Sequence, residues 1–223
     1  MTRSYTKHRP RRPRRSLNWA VGWKGISAAT LWEAGVQRQP DGTVRVPYRY
    51  PSREEHNAKL YPASGTPKCR WERSGLEQIP FGLDALPMGF AGSLQTLFIA
   101  EGESDALALR DAFAEDYEGR PITAIGLPGA GSWQRGWTGY VLPARRVYIV
   151  GDGDEPGRRM IDRVLRDVPG AAAVWLPPGE DARSVLQGRD GRDRFEELLD
   201  RADWTLRAGR RLGLYADDER WTA

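Results

Sequence analysis

Between Thr96 and Leu176 the sequence switches repeatedly between two periods, and the points of switching are acidic. Four short apolar runs, Thr96–Ala100, Ile122–Leu127, Arg146–Val150 and Ala172–Leu176, have the length and composition of buried strands. Two segments between them carry apolar residues at helical spacing. Ser104–Phe113 presents Ala106, Leu107, Leu109, Ala112 and Phe113, and Arg158–Val168 presents Met160, Ile161, Val164 and Leu165. Strands alternating with helices predict a parallel sheet covered by helices. In such a sheet ligands bind beyond the carboxyl ends of the strands. Three of the four runs end in acids there: Glu101 after the first, Asp152 and Asp154 after the third, Glu180 and Asp181 after the fourth.

Acids far apart in sequence are therefore expected to converge on one edge. Asp152 and Asp154 are two positions apart, which in extended chain puts both side chains on one side. Gly151, Gly153 and Gly157 allow the backbone to bend tightly around whatever they hold. Gathered carboxylates raise each other's pKa values unless a cation compensates. Hard oxygen donors suit Mg²⁺ or Mn²⁺, which leave coordination positions for water and phosphate. Glu101, Asp152 and Asp154 are thus the candidate metal-binding and catalytic residues. Asp105, four residues after Glu101, is open between capping a helix and lining the site.

Other chemistries have little to work with. Two histidines, His8 and His56, and one cysteine, Cys69, leave no Cys-based zinc site, no disulfide framework and little for a serine hydrolase. GxxxxGK[ST] does not occur, and Gly126–Gly131 (GLPGAG) has the wrong spacing for a dinucleotide fingerprint. That loop reads as a backbone nest near phosphate or as a tight turn. With 39% hydrophobic residues a sizeable core is feasible. No run approaches a membrane span and no secretory signal is evident, so a cytoplasmic protein is the expectation.

The formal charge of +4 is concentrated in residues 1–16, which hold seven arginines and lysines and no acid; without them the remainder carries −3. Pro10 and Pro13 break any helix there, so an extended polycation is expected, with Arg11, Arg12, Arg14 and Arg15 suited to phosphate backbones. Residues 17–92 read as a smaller α+β unit with an antiparallel sheet. It has a capped helix from Ser27, a strand over Thr43–Tyr50 and a second over Lys68–Trp71. Residues 93–190 form the strand–helix unit, and 191–223 a terminal helix, expected over Asp193–Arg207, and a tail.

Taken together, EGESDALAL (101–109), GLPGAGSW (126–133), GDGDEPG (151–157) and PPGEDARSVL (177–186) resemble the Toprim domain of bacterial and phage DNA primases over about residues 94–190. The resemblance implies a Toprim-like parallel sheet flanked by helices. Glu101 would be the Toprim glutamate, Asp152 and Asp154 the metal pair, and Asp181 the later primase acid and a fourth candidate metal ligand. KCRW (68–71) and PFGLDAL (80–86) are similar to the unit that precedes this domain in primases and forms part of a basic groove. Lys59, Lys68, Arg70 and Arg73 are then candidates for nucleotide or nucleic-acid contact. The implied activity is primer synthesis on single-stranded DNA from nucleoside triphosphates, with Mg²⁺ or Mn²⁺ and no zinc. A zinc-binding template module and a helicase domain are not found, so a separate helicase or zinc-binding subunit is an expected partner. Two alternatives stay open: a Toprim nuclease using the same metals, and a noncatalytic single-stranded DNA-binding module in which Trp71, Trp133 and Trp137 stack on bases rather than pack inside the fold.

Overall fold

The acid-tipped strands do lie side by side. A computed structural model describes residues 23–64, 66–87, 94–114, 119–141 and 144–211. The basic tail with Arg11, Arg12, Arg14 and Arg15, and the 92/93 boundary, fall outside the described residues.

A parallel sheet is built from β5 (Leu94–Ala100), β6 (Ile122–Gly126), β7 (Ala144–Gly151) and β8 (Ala172–Trp175), in the order β6-β5-β7-β8. Every pairing is parallel, and the register sets Ala100 of β5 opposite Gly126 of β6 and Val150 of β7. The carboxyl ends of three strands therefore finish level. Leu97, Phe98, Ile99 and Ala100 are buried, as are Val147 to Val150, which explains why the two central strands read as unbroken apolar runs. Helix α2 (Glu103–Ala112) packs on β5 and β6, α3 (Glu155–Asp167) on β7, and α5 (Gly191–Arg211) on β8. A short α4 (Ala182–Gln187), absent from the sequence reading, joins α2 to α5. No helix among the described residues is long and apolar enough to cross a membrane.

The amino-terminal unit is a small helix, α1 (Ala28–Glu33), capped by Ser27 as expected, and an antiparallel sheet β1-β2-β3-β4. Its strands are Gln37–Arg38, Val44–Arg49, Glu55–Tyr61 and Arg70–Trp71. The sequence reading missed β3. EHNAKLY looks polar, yet Asn57, Ala58, Lys59 and Leu60 are all buried. Its polar side chains are buried because they have specific partners, a condition that hydropathy cannot register.

The amino-terminal unit meets the parallel sheet at the outer edge of β6. Phe81 and Gly126 exchange backbone hydrogen bonds, Phe81 N–H to Gly126 O at 2.8 Å and the reverse at 3.1 Å. Beneath them the Arg110 guanidinium lies 5.5 Å from the centre of the Phe81 ring. It donates to the carbonyls of Ala124 and Gly82. The tryptophans proposed as stacking platforms pack instead. Trp133 and Trp137 are buried edge to face, with Trp133 Nε1 on Asp167 at 2.9 Å, and Trp71 meets Tyr48 at 4.8 Å between ring centres.

Candidate active site

Glu101 leaves the end of β5 half-buried, and its Oε2 accepts a hydrogen bond from the Asp152 backbone at 3.2 Å. The first and third acid-bearing strand ends are thereby tied together. The next turn is held by close backbone approach. A Cβ on Gly157 would lie 2.2 Å from the Asp152 carbonyl oxygen, and one on Gly153 only 1.9 Å from that of Pro177. Gly153 in turn exchanges backbone hydrogen bonds with the β8–α4 loop, donating to Glu180 and accepting from Gly179. Because the obstacle at Gly153 is backbone, Gly153→Ala is expected to destabilise the fold by about 2 kcal/mol and to displace Asp152. Thermal denaturation checks the first effect and metal titration the second.

Asp154 is exposed and caps α3, its Oδ1 accepting from the Gly157 N–H at 2.8 Å. Asp181 caps α4 in a reciprocal box with Ser184, and its other oxygen meets Arg183 Nη2 at 2.9 Å. The fourth acid thus has both oxygens engaged locally. Asp105, at the first turn of α2, is buried and accepts from the Arg183 N–H at 3.2 Å, so it lines this cluster.

The electrostatics show how closely these groups sense one another. Burial, then the charges of Glu101, Asp105, Asp181 and Asp154, push the Asp152 carboxyl up to about 8. Burial also raises Glu101, with Asp154 and Asp105 adding to it and the Asp152 N–H opposing it. Asp105 rises through burial and Asp181. Among the described residues no group of three acid, histidine or cysteine side chains is gathered closely enough to hold an ion as they stand. The donor chemistry nevertheless fits a hard divalent cation: all the groups are carboxylates, and their mutual repulsion is what such an ion relieves. Glu101 and Asp152 are the inner pair, with Asp154 at the rim.

A cationic wall stands beside the acids. Lys24, unnoticed in the sequence, extends its amine to Ser104 Oγ at 3.1 Å and lies 5.2 Å from the ring centres of both Trp23 and Tyr61. Burial, then the charge of Lys68, lowers its pKa. Arg183 completes the wall. Lys24 has left-handed backbone, φ 53°, a conformation that costs a non-glycine residue about 1 kcal/mol and that gathers at functional positions. Its long-range contact with Ser104 and its positive φ set it apart from an ordinary surface lysine, and sequence reports neither.

Lys59 corrects the expectation of a free groove cation. It is buried, its amine 2.6 Å from Glu103 Oε1 and 2.8 Å from the Pro128 carbonyl, under the Trp71 ring. Glu103, also buried, accepts further hydrogen bonds from Tyr61 at 2.8 Å and from Tyr48. Their own burial, then its charge, pushes both phenols upward. Lys59 is thus a joint between the two sheets. It holds the glycine loop by a carbonyl, as Arg163 does at Gly131, so that loop is a fastened turn. Lys68, Arg70 and Arg73 remain exposed, with Arg73 donating to the His56 carbonyl.

No family model matches the chain. A curated relative, the gene 57 protein of Mycobacterium phage D29, is 36% identical over 94 residues, 41% of this chain and 57% of that protein. The match therefore spans little more than half of that relative's length. Among solved structures, the chain superposes on the primase fragment of the bacteriophage T7 primase-helicase protein with a TM-score of 0.62. That match has 20% identity and covers 79% of this chain and 72% of that one. The fold is that of a Toprim-type primase core. The catalytic domain of DnaG primase bound to single-stranded DNA matches this primase-core fold equally well, with a TM-score of 0.62, 16% identity and coverage of 82% and 70%. A chain from a bacteriophage T7 assembly matches at 0.61 and 20% identity, covering 79% and 88%. In that assembly the lagging-strand DNA polymerase interacts with primase domains of two gp4 subunits bound to an RNA/DNA hybrid and dTTP.

Proposed function

We propose that this chain is the catalytic core of a DNA primase, joining ribonucleotides into short primers on single-stranded DNA. The observation that carries the reading is the carboxylate edge of Glu101, Asp152 and Asp105 in a primase-core fold, with Lys24 and Arg183 beside Asp105. Carboxylates alone suit a metal; carboxylates facing cations suit a metal-bound triphosphate. The primase-core structures that it resembles, one with single-stranded DNA and one with an RNA/DNA hybrid, support the same reading.

Glu101, Asp152 and Asp154 would hold Mg²⁺ or Mn²⁺. A divalent ion there supplies charge stabilisation for the attacking and leaving oxygens of an in-line phosphoryl transfer. Lys24, Lys68 and Arg183 bind and orient the triphosphate. Asp152, whose buried carboxyl holds a proton near neutrality, would have to give it up to bind a divalent ion. Exposed Arg70 and Arg73, with Arg11, Arg12, Arg14 and Arg15 of the tail, contact template phosphates.

The test is primer synthesis on single-stranded DNA with labelled ribonucleotides and Mg²⁺ or Mn²⁺, beside Asp152→Ala and with candidate helicase and zinc-binding partners added in separate reactions. Short products lost in the variant are expected. Metal-dependent cleavage of the template without incorporation would assign the site to a nuclease. DNA binding unchanged by chelator, with no synthesis in any mixture, would assign the chain to the binding modules.

A further inference from the structure

We infer that Gln187 is a positioning residue that fixes Lys24 at the triphosphate wall. The inference rests on the reading of Lys24 as a phosphate ligand. Lys24 and Gly25 are both left-handed, φ 53° and 71°. Such a pair does not hold itself, because the lysine disfavours that conformation and glycine has no preference for it. The hold comes from 163 positions away: Gln187 Nε2 donates to the Lys24 carbonyl oxygen. A Cβ on Gly25 would lie 2.4 Å from that same Nε2, so the glycine is what lets the amide reach the backbone.

The other end of the amide is also occupied. Arg183 Nη1 reaches Gln187 Oε1 at 3.5 Å, which points the N–H end at Lys24. Both residues lie on α4, whose start is fixed by the Asp181–Ser184 capping box. One six-residue helix therefore sets Arg183 against Asp105 and Asp181, and Lys24 against Ser104. Two of the three cations of the wall take their positions from it.

The experiment measures ATP binding to the full chain in Mg²⁺ by calorimetry, together with KM and kcat for primer synthesis. Gln187→Glu keeps the shape and removes the donor; Gln187→Ala removes both. Each is expected to weaken ATP binding about tenfold, with the loss falling on KM rather than kcat. In a Lys24→Ala background Gln187→Ala is expected to add less than about twofold, because it acts through Lys24. A packing role would give effects that multiply. Multiplying effects, or Gln187→Glu binding ATP like the wild type, overturns the inference. Wild-type binding of ATP without primer synthesis in any mixture of candidate partners would end the primase reading while leaving Gln187 judged on binding alone. A wild type that does not bind ATP ends both.

Discussion

Asp152→Asn should make no primers and yet fold more stably than the wild type in chelator. The sign follows from linkage. The Asp152 carboxyl is raised by burial and by its acidic neighbours to about 8 from an ordinary 3.8. The folded chain therefore holds that proton more tightly than the unfolded chain. Stability from this group is fully present below about pH 4 and is lost as pH rises towards 8, where the ionised carboxylate sits against Glu101 and Asp105. Asparagine carries no such penalty. Because Asp152 is only part-buried, the shift is discounted to about 2 kcal/mol at pH 8, near 5 °C in Tm for a chain of this size. The gap should narrow steadily as pH falls and close by about pH 4. Thermal denaturation in EDTA at the two pH values checks it, and saturating Mg²⁺ should stabilise the wild type more than the variant. A variant less stable than the wild type, or a gap indifferent to pH, would remove the argument that these acids wait for a cation.

The second large effect lies at the joint between the sheets. Glu103→Ala should cost about 3–5 kcal/mol, since it leaves the buried Lys59 amine without its carboxylate and strips an acceptor from Tyr48 and Tyr61. Adding Lys59→Met to that background should restore much of the loss, because an apolar side chain of similar length leaves no buried charge to satisfy. Urea denaturation of the single and double variants measures both. If Glu103→Ala costs less than about 1 kcal/mol, the network is not the bond between the units that its geometry describes.

The parallel sheet was legible because its strands are buried on both faces and its helices are amphipathic; both leave a period in the sequence. The acids were legible because a charge at the end of such a run is conspicuous. Lys59 was misread for a physical reason. In the polar-looking run EHNAKLY a lysine looks solvated, and its partner Glu103 is 44 positions later, hidden among acids that go to the metal edge. Asp181 was legible as an acid at the correct edge, but its partner three residues on, Ser184, makes it a capping-box residue as well. Lys24 and Gln187 carry no local signal, since their meaning lies in a backbone angle and in a contact between the two ends of the fold.

The exchange of hydrogen bonds between Phe81 and Gly126 has a practical consequence for anyone dissecting this chain. The shift in composition near residue 93 invites expression of the carboxyl-terminal half alone. Such a fragment would bare the edge of β6, remove the ring above Arg110 and expose Glu103 without Lys59, an unpaired strand edge beside stranded charges. The fragment is better pictured as half of a zip than as a module. A workable dissection would keep residues 23–87 attached and vary the ends instead.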